Sequence, residues 1–278
     1  MVRPDVVRTR NKKDTGDNIR LHINEKVVSH SFFPNLNLYP DIDFYYSKYC
    51  NILNYDKIFF TEGVTGGLKN IFEILKPSVS EFPNNPFALL PIFKQLYLTD
   101  NGPSIYIAIC PKENVPNLSK KYDHVIIDDA YEYFCPKKWD EYLKIPNVTI
   151  LRSFSKAYGL AGIRLGYAIG ELVSIMDLHR GGYEANTLSL KAGMLALKNK
   201  SIMLKYVEDC KNSLNYFLEN STNFYYDGFS NAIYTNRVKK YNDLLNSKFL
   251  VKKFDDRLRI TLAPLNILKS VYDIIESD

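Results

Sequence analysis

No run of about 18 apolar residues occurs in this chain. The nearest approach in its 278 residues is the Pro-interrupted FALLPIF around Leu90, so no membrane-spanning helix is expected. Cysteine is scarce: Cys50, Cys110, Cys135 and Cys210 stand far apart with no C-x-x-C pair. That argues against a zinc cage built from cysteine pairs, predicts no metal site, and points to a reducing, cytoplasmic setting. The N-terminal stretch MVRPDVVRTRNKKDTGDNIRLHINEKV lacks an apolar core of signal-peptide length, so export is not expected. Glycine and proline, 13 of each, are too few for a collagenous or low-complexity chain, and no internal repeat is visible. Charge is nearly balanced: 36 basic against 31 acidic residues leave +5, with Arg3, Arg8, Arg10, Lys12 and Lys13 supplying most of it. Such an arm is expected to be solvated rather than to bind nucleic acid.

What remains is an ordinary globular composition, 46% hydrophobic and 24% charged. A chain of this size buries about three quarters of its unfolded surface and needs no covalent staple. The expected organisation is an arm over residues 1–38, a large domain over 39–187 and a small domain over 188–278. YPDIDFYYSKYCNIL predicts a helix behind Pro40, KIFFT a short strand, and Gly66 to Leu75 a second helix. The runs FALLPI (87–92), SIYIAIC (104–110), HVIID (124–128), VTILRS (148–153) and LGYAIG (165–170) are nearly all apolar instead of alternating. Strands of that kind are buried on both faces, which predicts an α/β fold with a mostly parallel sheet flanked by helices. From Leu188 apolar residues recur at helical spacing, with a break expected near Asn199; SNAIYTN (230–236) and RLRITLA (257–263) then predict strands of a smaller C-terminal α+β domain, closed by the helix NILKSVYDIIES.

The most informative stretch runs Arg152-Ser153-Phe154-Ser155-Lys156-Ala157-Tyr158-Gly159-Leu160-Ala161-Gly162-Ile163-Arg164-Leu165-Gly166-Tyr167. Two hydroxyls at Ser153 and Ser155, glycines that permit close backbone approach, and the rigid guanidinium of Arg164 describe a phosphate cradle with an amine, Lys156, inside it. An amine kept among apolar neighbours loses its proton more easily, and the neutral form attacks an aldehyde to give a Schiff base. Upstream, Thr61-Glu62-Gly63-Val64-Thr65-Gly66-Gly67 lies between strand and helix, so the N–H groups of Val64 and Thr65 can meet an anion at a helix N-terminus.

The S-x-S-K-x-x-G-L-A-G-x-R-x-G-Y string resembles the fold-type I pyridoxal-phosphate enzymes of aminotransferase class I/II, most closely their histidinol-phosphate aminotransferase-like branch. The resemblance implies that Lys156 carries pyridoxal 5'-phosphate, with Ser153, Ser155 and Arg164 on its phosphate and Val64 and Thr65 in the phosphate-gripping turn. HVIIDDAYEYF resembles the family's D-E-A-Y strand end, which implies that Asp128 keeps the pyridine nitrogen protonated while Tyr131 donates to the ring oxygen; Asp129 stands where Glu is usual. Pro91-Ile92-Phe93 resembles the element whose ring stacks on the cofactor, a role that falls to Phe93 unless it is core. Leu38-Tyr39-Pro40-Asp41 resembles R-Y-P-D, implying a homodimer in which Tyr39 reaches the neighbour's phosphate, although Leu38 replaces the arginine. Arg257-Leu258-Arg259-Ile260-Thr261 resembles the strand whose arginine clamps the substrate carboxylate; Arg259 fits by register, with Arg257 as fallback. Asn24-Glu25 resembles the segment that closes over the substrate.

The family's N-P-x-N-P-T-G has no full counterpart: Cys110-Pro111-Lys112-Glu113-Asn114-Val115-Pro116 stands there, with Asn114 nearest to the asparagine that bonds the ring oxygen. The implied activity moves an amino group between a small-molecule amino donor, an amino acid or a phosphorylated amine, and a keto acceptor. Two alternatives stay open: a pyridoxal-phosphate-dependent decarboxylase of a phosphorylated amino acid, and a catalytically silent relative serving as a binding module.

Overall fold

The computed structural model describes residues 39–81, 90–109, 112–181 and 184–277. Asn24, Leu38 and the rest of the arm therefore lie outside the described residues. The chain divides into two compact units. The first holds the described residues up to Ala130, then Trp139–Ser155 and Gly159–Lys198; the second holds Tyr131–Lys138, Lys156–Tyr158 and Asn199 onward.

The first unit opens with α1 (Ile42–Leu53), which starts where the Asp41 carboxylate accepts the Phe44 N–H at 3.0 Å and ends at Asn54 in the left-handed region. Strand β1 (Phe59–Thr61) leads into α2 (Gly63–Leu75), one turn earlier than the sequence suggests. Then follow β2 (Val79–Glu81), α3 (Leu90–Tyr97), β3 (Ser104–Ala108), α4 (Val115–Lys121), β4 (His124–Asp128), β5 (Val148–Ser153), β6 (Gly166–Gly170), α5 (Val173–Leu178) and α6 (Thr187–Lys198). Among the described residues the strands form one six-stranded sheet in the order β1-β6-β5-β4-β3-β2. The pairings from β2 through β5 are parallel, and β6 runs antiparallel to both β5 and β1. This is the expected mostly parallel sheet with helices about it, and β4 and β5 carry the residue bounds that the sequence indicates. Their runs of Val, Ile and Leu are fully buried, each side chain contributing roughly 1.5–3 kcal/mol.

One expectation fails. Residues 90–92 of FALLPI belong to helix α3, not to a strand; residues 87–89 lie outside the described segments. Pro91 sits in the first turn, where its missing N–H costs nothing; Phe93 is buried while Ile92 and Leu96 face solvent. A continuous apolar run cannot by itself tell strand from short helix.

In the second unit α7 (Lys200–Asn220) follows the predicted break at Asn199, and β7 (Phe224–Tyr226), β8 (Ala232–Thr235), α8 (Tyr241–Asn246), β9 (Lys252–Lys253), β10 (Leu258–Thr261) and α9 (Leu265–Glu276) complete it. The strands form an antiparallel sheet in the order β7-β8-β10-β9. Helix α9 buries Leu268, Val271, Tyr272 and Ile275, one stripe at the i, i+3, i+4, i+7 spacing, and α7 supplies Met203, Val207, Cys210 and Phe217 to the same core. Phe217, Phe224 and Tyr272 pack ring on ring with centroids 4.7–5.7 Å apart. No described helix is long and apolar enough to cross a membrane.

Candidate active site

β4 and β5 are parallel neighbours, so their carboxyl ends emerge on one edge of the sheet, where open α/β sheets gather functional groups. β4 ends on Asp128 and β5 on Ser153. Asp128 pairs with Leu151, and side chains alternate along each strand. Asp128, Leu151 and Ser153 thus share one face, while Asp129 and Arg152 share the other. The carboxylate of Asp128 is oriented locally, its Oδ1 accepting the Ala130 N–H at 3.1 Å.

Beyond Ser153 the chain returns through a 3-10 turn, Ala161–Ile163, to β6, where Gly166 pairs with Ser153. Arg164 closes that turn in the left-handed region at φ 51°, a conformation that costs a non-glycine residue energy and persists because the surroundings fix it. Its guanidinium donates from Nη1 to Ser155 Oγ at 3.3 Å and to the Ala161 carbonyl at 3.1 Å, and from Nη2 to the Glu62 carbonyl at 3.0 Å. The Ser155 N–H donates to Ser153 Oγ at 3.0 Å, which ties the two hydroxyl residues together. Every oxygen that Arg164 binds is neutral. Among the described residues no carboxylate lies within ion-pair distance of it, so its charge is uncompensated.

Glu62 adjoins the N-terminus of α2 and makes no side-chain cap, so the first amides of that helix, Val64 and Thr65 among them, remain as anion donors. Gly63 opens the corner. A Cβ there would come within 3.0 Å of Arg164 Nη2 and 3.6 Å of Ser153 Oγ, and its φ of +71° favours glycine in any case. Gly166 is required for a related reason: a Cβ would meet the Arg152 carbonyl at 2.4 Å and Gly63 Cα at 2.7 Å. Serine hydroxyls, a guanidinium that meets no carboxylate among the described residues, helix N-terminal amides and a glycine-lined gap form a donor set suited to a phosphate monoester.

Lys156 follows Ser155 directly in the chain and belongs to the second unit with Tyr131. Its Nζ lies 5.8 Å from the centroid of the Tyr131 ring, and Tyr131 in turn meets Phe229 edge to face at 5.9 Å. The apolar enclosure expected for this amine is not what the structure shows: Phe154 and Ala157 on either side are buried, and Lys156 between them is exposed.

The other expected residues are placed as follows. Phe93 is buried in the first unit's core, 5.7 Å from Phe72 and 6.4 Å from Tyr97. Asn114 is the N-cap of α4, accepting the Asn117 N–H at 3.1 Å. Tyr39 precedes α1 and is exposed. Arg259 lies on β10 between Tyr234 of β8 and Lys252 of β9. The fallback, Arg257, stacks over Phe254 and Tyr234 at 5.2 and 5.9 Å.

The sequence reading missed Gly63 as the residue that opens the corner, although it stands in the glycine-rich turn over residues 61–67. It also missed an ionic cluster around the buried Arg152 and Asp129, behind the strand ends. Arg152 donates from Nε to Asp129 Oδ2 at 2.9 Å, from Nη2 to Asp140 Oδ2 at 2.8 Å and from Nη1 to the Tyr55 hydroxyl, which itself donates to Asp140. Burial pushes the Asp140 carboxyl up, but hydrogen bonds from Arg152 and Tyr55 outweigh it and hold the group below the usual carboxylate range.

Residues 108–225 match the family described as Aminotransferase class I and II. Histidinol-phosphate aminotransferase 2 of Oceanobacillus iheyensis is 30% identical over 213 residues, which are 70% of this chain and 54% of that protein. The chain thus spans about half the length of the curated relatives it matches. Among solved structures, the histidinol-phosphate aminotransferase from Sinorhizobium meliloti in complex with pyridoxal-5'-phosphate superposes with a TM-score of 0.68 at 16% identity, covering 86% of this chain and 83% of that one. The L-threonine-O-3-phosphate decarboxylase from Porphyromonas gingivalis also gives 0.68, at 14% identity over 86% of this chain and 89% of that one. At such identities these likenesses establish the fold.

Proposed function

We propose, on the premise that this chain is a relative of the class I and II aminotransferases in their histidinol-phosphate aminotransferase-like branch, that it is a pyridoxal 5'-phosphate-dependent aminotransferase. The reading is supported above all by Arg164, whose guanidinium is bound by neutral oxygens beside Ser153, Ser155 and Gly63 and meets no carboxylate among the described residues. Arg164, the two serines and the Val64 and Thr65 amides would hold the cofactor phosphate. Asp128 would keep a proton on the ring nitrogen, since an adjacent carboxylate favours the cationic form. Tyr131 would donate its phenolic proton to the ring oxygen. When bound, the cofactor supplies an electron sink for negative charge developing at the substrate α-carbon. Lys156 would attach the cofactor covalently and, once displaced, carry the substrate's Cα proton on Nζ to the cofactor's C4' carbon. Arg259 would orient the substrate carboxylate through a bidentate pair, and Asn24 would close over it.

Phe93 and Asn114 enter this reading on their motifs alone. The large domain, residues 39–187, would carry the cofactor and residues 188–278 the substrate side, in a cytoplasmic homodimer in which Tyr39 reaches the neighbour's phosphate. The substrates would be a small amino donor and a keto acceptor. The fold is shared with a decarboxylase, so the product decides between the two reactions.

The test loads the full chain with pyridoxal phosphate, reduces it with borohydride and weighs it. The expected result is one cofactor on Lys156, none on Lys156→Ala, and a fall in amino-transfer of roughly 10^4-fold in that variant. Unchanged turnover in Lys156→Ala defeats the assignment. Carbon dioxide in place of a keto product assigns the decarboxylase instead.

A further inference from the structure

We propose that Arg152, acting through Asp129, is a positioning residue that sets the direction of the Asp128 carboxylate and with it the protonation of a bound cofactor ring. The inference rests on the aminotransferase reading and adds to it a residue that touches neither cofactor nor substrate. Arg152 and Asp129 have 4% and 2% of their side chains exposed, and charges so deeply buried persist only when paired. The pair sits where β4 ends. The Asp129 N–H donates to the Leu151 carbonyl at 2.9 Å, extending the ladder one residue past Asp128, and the Asp129 carboxylate is then fixed by Arg152 Nε on the opposite face.

Asp128 takes its own orientation from the next backbone amide but one, through the Ala130 N–H. Its carboxylate therefore follows the backbone at 129 and 130. The same guanidinium precedes Ser153, so one side chain fixes the exits of both strands that carry the candidate site. Three donors on three partners require a planar fork. Asp140 lies in a 3-10 turn, Trp139–Lys144, and Tyr55 lies just after α1, so the fork also gathers segments distant in sequence. Lysine has the charge without the geometry.

The experiment titrates the full chain with pyridoxal phosphate, measuring the dissociation constant and the pH at which the visible band of the attached cofactor titrates. Asp129→Asn and Arg152→Lys are each expected to weaken binding about tenfold. They should also raise the titration pH, because a ring nitrogen that loses its proton no longer opposes protonation of the lysine nitrogen. Asp129→Glu, which keeps the carboxylate, should restore the wild-type titration. Loss of packing alone would weaken binding without moving that pH. Should Asp129→Asn fail to fold, Asp140→Asn, whose side chain is 46% exposed, takes its place with an effect of about threefold in the same directions. A wild-type chain that takes up no cofactor overturns both readings. Wild-type uptake with unchanged affinity and titration in the folded variants overturns this inference alone.

Discussion

Arg152 and Arg164 stand on the same stretch of chain and in the same unit, yet they spend their donors in opposite ways. Arg152 is buried and faces two carboxylates and a phenol; Arg164 is exposed and faces two carbonyls and a hydroxyl. The first closes its charge inside the protein, whereas the second keeps it available to an anion from outside. A motif records both as arginine. Only their partners separate the residue that holds the scaffold from the one suited to a ligand.

Exchanging each arginine should break the comparison most sharply. Arg152→Met leaves Asp129 buried without its counter-charge, so chemical denaturation should show a loss of about 3–5 kcal/mol in folding stability. Arg164→Met should cost under about 1 kcal/mol in the same assay, since no buried carboxylate is stranded. It should instead weaken pyridoxal phosphate binding about a hundredfold, read by equilibrium titration. If the two variants lose stability equally, the distinction fails.

Gly63→Ala tests the corner with a smaller change. The left-handed backbone should cost about 1–2 kcal/mol in stability, and the new methyl group, 3.0 Å from Arg164 Nη2, should lower phosphate affinity as well. The smallest effect concerns pH. The folded Asp140 carboxyl titrates below its unfolded value. Its stabilising contribution is therefore complete above the ordinary carboxylate range and is lost as pH falls through the depressed value. Thermal unfolding between neutral and acidic pH should show wild type losing slightly more stability than Asp140→Asn; the opposite slope would remove Asp140 from the cluster.

Much of the first unit could be read along the chain. The β-branched runs of β4 and β5 announce buried strands with their bounds, and the serine–lysine–arginine string places Ser153, Ser155 and Arg164 within one turn of chain. Helix α3 escaped because its apolar run carries no period. Strands β7 and β9 escaped because they are short, the latter only Lys252–Lys253, and are held by their neighbours rather than by their own pattern. The ionic cluster escaped for another reason. Arg152 meets its partners across 12, 23 and 97 positions of sequence, and no local spacing encodes such a meeting. Likewise, the order Phe154, Lys156, Ala157 does not say which side chains point inward.

The register partnership of Ser153 with Gly166 pins both ends of the intervening loop to one rung of the sheet. Substitutions inside that loop are borne locally, but an inserted or deleted residue would shift Arg164 against the hydroxyls it meets. Laboratory evolution of this segment should therefore yield spelling changes at constant length, with indels confined to other surface turns.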